Sequence, residues 1–217
     1  YDAPGHGQST NTRPRGQFEF AEWVDACVAV AEYARDLTGL KVISVGSSLG
    51  VAAAYSALHA DAVSGAVLMG SAVVPGGTVM AKDHPWRSPD VVKVAKALGH
   101  TLRFDIGTAI DFEKNYGFPG ALDQRRFDRL NLDQYDFASL VSMFAYDPVI
   151  PPEKNSKRIL YTFGTEDGMT PVEVVEQCAR AIAGPVQFEL IEGGKHQLML
   201  FNTDVFSDLV ERWVTPI

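Results

Sequence analysis

Residues 41–55, KVISVGSSLGVAAAY, constrain this chain more than any other stretch. Val42, Ile43 and Val45 form an apolar, β-branched run, Gly46-Ser47-Ser48-Leu49-Gly50 follows, and an alanine-rich run then reads as helix. Strand, sharp turn, helix is the setting in which a G-x-S-x-G turn acts as a nucleophile elbow. A serine hydroxyl is a weak nucleophile in water. It becomes useful when held out from the backbone beside a base and beside N–H donors for an oxyanion. A turn of this kind strains the backbone at the serine and crowds its neighbours, which predicts small residues at Gly46 and Gly50. Of the two adjacent serines, only Ser48 has glycine two positions away on both sides. An ordinary Gly/Ser connection between strand and helix fits the pentapeptide as well, so its reading depends on partners elsewhere.

Length and charge narrow those partners. The chain has 217 residues, 46% of them hydrophobic, enough for one large domain with a sizeable core. Its net charge of -8 and the absence of any Lys/Arg run argue against nucleic acid or an anionic membrane surface and favour a small molecule. Cys27 and Cys178 lie far apart in helix-like segments and read as buried free thiols rather than as a disulfide or metal ligands. No apolar run is long enough to cross a membrane and no signal-peptide pattern is present, so the expected compartment is cytoplasmic.

Taken in order, Asp2-Ala3-Pro4-Gly5-His6-Gly7-Gln8-Ser9-Thr10 is a polar turn-rich loop, and Tyr1 reads as the end of a strand already under way. His6 is either a locally bonded turn residue or a secondary candidate for a catalytic base. Between Phe18 and Leu37, Phe20, Trp23, Val24, Cys27, Val28, Ala31 and Ala34 recur at helical spacing, which predicts an amphipathic helix ending at Thr38-Gly39. A strand is expected over 64–70. From about Val74 to Pro152 the spacing predicts helices near 89–98, 105–116, 122–130 and 135–145 with no clear strand among them. Strands then resume at 158–164 and 186–191, with helices over 171–183 and 203–213. This rhythm predicts an α/β fold with a mostly parallel sheet flanked by helices. The expected organisation is 1–73 as the first part of a core domain, 74–152 as a helical cap or lid insertion, and 153–217 as the second part of the core.

Asp167 and His196 both fall in loops just after strands. Carboxyl ends of parallel strands share one edge of a sheet, so Ser48, Asp167 and His196 should converge there. His196 can take a proton from Ser48 while Asp167 fixes its tautomer. Glu166 is the alternative acid. His59, His84 and His100 read as surface or lid residues. Candidate contacts to substrate are Ser47, Met143, Met169 and Gln197, although plain loop or core roles account for each. The insertion is rich in aromatic and apolar residues, among them Trp86, Phe104, Phe112, Tyr116, Phe127, Phe137 and Phe144; most should pack its own interior and some should face the cleft.

The runs Asp2-x-x-Gly5-His6-Gly7-x-Ser9, Gly46-x-Ser48-x-Gly50, Gly164-x-x-Asp167-x-x-x-Pro171 and Gly193-Gly194-x-His196 together resemble the α/β-hydrolase superfamily, in its branch of esterases, lysophospholipases and monoacylglycerol lipases with a helical cap. The resemblance covers nearly the whole chain outside the insertion. It implies Ser48 as nucleophile, Asp167 as acid, His196 as base and the N–H of Leu49 as one oxyanion donor, with no metal or organic cofactor. A serine at position 48 sets the chain apart from the aspartate-nucleophile branches. Members also carry, ahead of the D-x-x-G-H-G-x-S loop, a strand ending in a His-Gly type segment that gives the second oxyanion donor. That segment is not among these residues, so the expectation is the C-terminal part of a longer domain.

The expected activity is hydrolysis of a carboxylic ester with an apolar acyl or aromatic group, through an acyl-enzyme. Thioester, acyl-transfer and C–C bond chemistry use the same triad, and a ligand-binding protein on a hydrolase scaffold is the alternative from another class.

Overall fold

The apolar stripe of residues 18–37 folds as helix α1 (Phe20–Thr38), which buries Phe20, Trp23, Val24 and Ala31 and is closed by Gly39 in the left-handed region. A computed structural model of the protein describes residues 1–11, 13–99 and 101–215. Strand β1 (Val42–Ser47) passes through Ser48 and Leu49 into helix α2 (Gly50–Ser56), and strand β2 (Val63–Met69) follows. The chain then leaves the sheet. It forms α3 (Pro89–Leu98), β3 (Arg103–Asp105), α4 (Phe112–Tyr116), α5 (Ala121–Phe127), β4 (Gln134–Asp136) and α6 (Phe137–Phe144). It returns as β5 (Arg158–Gly164), α7 (Val172–Arg180), β6 (Val186–Ile191), α8 (Leu198–Phe201) and α9 (Thr203–Val214).

The four core strands form one sheet in the order β1-β2-β5-β6, and every neighbouring pair is parallel. Alternation along the strands sends successive side chains to opposite faces. Ala66 and Leu68 of β2 and Ile159, Tyr161 and Phe163 of β5 pack on one face with α2 and α7. Val67, Met69 and Leu160 point to the other, where Phe206, Leu209 and Trp213 of α9 cover them. Burial on both faces explains why these strands read as continuous apolar runs rather than as alternating ones.

A third cluster fastens the segment between β2 and β5 to the start of α1: Phe18, Phe20 and Trp23 pack there with Met80, Leu132, Tyr135 and Met143. Ser139 and Ser142 of α6 accept from the backbone N–H groups of Phe18 and Phe20 at 2.8 and 3.0 Å. Local sequence sets the helix starts in this segment. Ser88 and Asp111 each accept a backbone N–H of the first turn, the usual role of these residue types at an N-cap.

Two expectations for this segment need correction. It is not free of strands, because β3 and β4 pair antiparallel, Arg103 opposite Asp136. Helix α3 spans the expected 89–98, but α4, α5 and α6 are shorter than the spacing predicts, and the stretch 105–116 is helical as α4 only from Phe112, after a single 3-10 turn at Ile106–Thr108. Three-residue strands carry no usable periodicity, and their pairing is decided by contacts distant in sequence.

Candidate active site

Ser48 is the one non-glycine residue with positive φ among the described residues, at 54°. A serine in that region stores strain that the surrounding structure must hold. Gly46 provides part of the hold. A Cβ there would lie 2.3 Å from the carbonyl oxygen of Gly50 and 2.7 Å from Cβ of Ala54, so the helix can approach the strand only over a glycine. The matching expectation for Gly50 fails, since a Cβ at that position would meet nothing within 4 Å. Crowding at the turn is one-sided.

The loops after β5 and β6 carry Asp167 and His196 to the same sheet edge. Asp167 Oδ2 lies 2.8 Å from His196 Nδ1, and Asp167 Oδ1 accepts the N–H of Met169 at 2.8 Å. Both side chains are out of solvent, at 0% and 4% exposure. A carboxylate only accepts, so it selects the tautomer with hydrogen on Nδ1 and leaves Nε2 with a lone pair. Glu166, the alternative acid, is turned away and pairs with Lys195 at 2.5 Å.

The His196 loop is gripped on several sides. Glu166 donates its N–H to the carbonyl of Gly194 at 2.9 Å, Gly193 donates to Thr165 Oγ1 at 2.9 Å, and His196 donates its own N–H to the carbonyl of Asn115 in α4 at 3.2 Å. Gly164 and Gly70 are required by close approach. A Cβ on Gly164 would fall 2.2 Å from the Gly194 carbonyl oxygen, and one on Gly70 would fall 2.6 Å from that of His196. Ser47 Oγ donates to Gln197 Oε1 at 2.8 Å, joining the turn that bears Ser48 to the loop that bears His196. Among the described residues no hydrogen bond joins Ser48 Oγ to His196.

Ser48, Leu49 and His196 open on a cleft of about 820 Å³. Of the candidate substrate contacts, Ser47, Met169 and Gln197 line it. Met143 does not. Its side chain is fully buried in the cluster beneath α1, where the inward face of α6 carries it. Only Phe112 and Tyr116 of the insertion's named aromatics reach the cleft, whereas Phe137 and Phe144 each meet Trp86 edge to face and Phe127 is 87% exposed. Sequence reading missed Asn115, whose contribution to the His196 loop is a backbone carbonyl and so leaves no trace in residue type.

His6 also lines the cleft, with Nδ1 on the carbonyl of Pro4 and Nε2 on the Tyr135 hydroxyl, both at 3.2 Å. Burial pushes its pKa below 6.5, so it is held neutral, and its partners are not those of a base for Ser48. His59 binds the carbonyl of Ser56, and His84 caps a turn and stacks on Phe144. His100 lies outside the described residues. Both cysteines are free, with Cys178 buried and Cys27 half-buried. Among the described residues no group of three or more His, Cys, Asp or Glu is placed to hold a metal ion, and no helix is long and apolar enough to cross a membrane.

The sequence pattern described as "Alpha/beta hydrolase family" matches residues 1–209. No curated protein sequence matches the chain. Solved structures share the fold. The monoacylglycerol lipase of Paleococcus ferrophilus is 21% identical with a TM-score of 0.70, covering 97% of this chain and 79% of its own. A soluble variant of the monoglyceride lipase of Saccharomyces cerevisiae is 17% identical with a TM-score of 0.71, over 99% and 75% of the two chains. MenH from S. aureus is 18% identical with a TM-score of 0.65, over 99% and 82%.

Proposed function

This chain belongs to the alpha/beta hydrolase family and is a hydrolase; from that premise we propose that it is a serine esterase acting on carboxylic esters with an apolar acyl or aromatic group. One observation carries the reading: the strained Ser48 and a His196 oriented by a fully buried Asp167 line the same cleft. In this reading Ser48 Oγ attacks the ester carbonyl as His196 Nε2 takes its proton. The negative charge that forms on the carbonyl oxygen meets the N–H of Leu49 at the opening of α2, where helical N–H groups have no internal acceptor. The intermediate collapses, the alcohol leaves with the proton from His196, and Ser48 is acylated. Water then adds to the acyl group with His196 as base, which releases the carboxylic acid and restores the serine.

The cleft wall favours an apolar group. Leu49, Ile106, Phe112, Leu132, Leu140 and Met169 contribute to it. We assign residues 74–152 the role of a cap over the sheet edge, and kinship in fold with proteins described as monoacylglycerol lipases favours an ester over other carbonyl substrates. The test is turnover of p-nitrophenyl esters of graded chain length by the parent and by Ser48→Ala. The expected result is an optimum in chain length and a loss of kcat of about 10⁴-fold or more in the variant. Residual activity within about tenfold of the parent would remove Ser48 from the mechanism.

A further inference from the structure

We propose that the hydrogen bond between Ser47 and Gln197 is a positioning clamp that sets the distance between nucleophile and base, with both residues acting through their neighbours rather than on substrate. The inference rests on the assignment of Ser48 and His196 above. Ser47 immediately precedes the nucleophile and Gln197 immediately follows the base, so a 2.8 Å bond between their side chains closes a short bridge around the reacting pair.

The other bonds to the His196 loop serve different ends. Gly194, Gly193, Lys195 and the His196 ring are all tied to residues 165–167, which fixes the base relative to the acid. The N–H of His196 is tied to Asn115 in α4. Among the described residues, the Ser47–Gln197 bond is the one hydrogen bond that ties this loop to the turn at Ser48. Packing adds one further reference, the carbonyl of His196 seated over Gly70 at the end of β2.

Gln197 is suited to the task at both ends. Its backbone carbonyl accepts from Leu200 and Phe201 and starts α8, which is anchored by the fully buried Leu198. Its side chain therefore swings from a fixed base. The hydroxyl of Ser47 donates and the amide oxygen accepts, so neither group is left to orient itself by solvent. Because Ser48 Oγ and His196 make no hydrogen bond with each other in the free protein, their separation must be set by such outside references. A displacement of about 1 Å between reacting groups costs on the order of a hundredfold in rate, which makes one well-placed bond consequential.

The experiment compares Ser47→Ala, Gln197→Met, the double variant and Ser47→Thr, reading kcat, KM and the rate at which a fluorophosphonate probe modifies Ser48. Each deletion is expected to lower kcat and the labelling rate together by about ten- to a hundredfold, with KM within about threefold of the parent. The double variant should be no worse than the weaker single one, and Ser47→Thr, which keeps the hydroxyl, should restore most of the rate. A rise in KM at unchanged kcat would make Gln197 a substrate contact and overturn the proposal, as would losses that multiply in the double variant or labelling at the parent rate. Should Gln197→Met fail to fold, Ser47→Ala with its Ser47→Thr rescue decides alone. If the parent itself is not labelled at Ser48, the nucleophile assignment fails first, and that result is distinct from a labelled parent with indifferent variants.

Discussion

The two sides of Ser48 are built differently. Toward β2, β5 and β6 the chain is locked by backbone against backbone: Gly164 under Gly194, Gly70 under His196, and the paired loops that hold Asp167 to the imidazole. On the other side, among the described residues, β1 pairs with β2 alone and a Cβ on Gly50 would meet nothing within 4 Å. The difference teaches which contacts around Ser48 leave no room for a larger side chain. Asp167 and His196 are fixed by parts of the fold with no room to move, whereas the first turn of α2 has space beside it.

The largest expected effects fall on the locked side. Asp167→Asn removes the acceptor that selects the His196 tautomer and should lower kcat by about 10⁴-fold. Glu166→Gln, one residue away but paired only with Lys195, should stay within about threefold in the same steady-state assay, because an exposed ion pair contributes at most about 1 kcal/mol. Equal losses in the two variants would dissolve the distinction between them.

Next comes a pair of glycine substitutions. Gly164→Ala drives a methyl into the Gly194 carbonyl and should cost about 1–3 kcal/mol or more, lowering Tm and activity together. Gly50→Ala places the same methyl in open space at the first turn of α2, where alanine is the better helix former by up to about 1 kcal/mol, so Tm should hold or rise. Thermal melts of the two variants would break the comparison if Gly50→Ala proved the more damaging.

The smallest effect concerns His6. Burial lowers its pKa below the unfolded value of 6.5, against smaller opposing and assisting contributions from the Pro4 carbonyl, Arg15, Asp2 and Arg125. The folded state therefore binds fewer protons than the unfolded state as pH falls below 6.5, and stability should decline across that range while remaining whole above it. In His6→Asn the Tm difference between pH 7.5 and pH 5.5 should shrink. An unchanged difference would show that other groups carry it.

How much of this was legible in the sequence follows from the same contrast. β5 and β6 begin and end where the apolar runs do, and Ser48, Asp167 and His196 could be placed on one edge because parallel strands leave no other choice. Features that depend on which neighbour lies opposite were hidden. Met143 reads as a lid residue facing substrate, yet helical phase turns it into the core. The β3–β4 ribbon is too short to show a period, and the room beside Gly50 depends on what is not packed there rather than on any residue in the motif. The Ser47–Gln197 bond joins positions 150 apart, and only the folded loops bring them together.

The central claim is that Ser48 is an activated nucleophile whose base is His196. Its most direct measurement is intact-mass and peptide mapping after exposure to a fluorophosphonate probe. The account predicts one adduct per chain, located on Ser48 and abolished in His196→Ala. An unlabelled parent, an adduct on Ser47 or another serine, or undiminished labelling without His196 would contradict it.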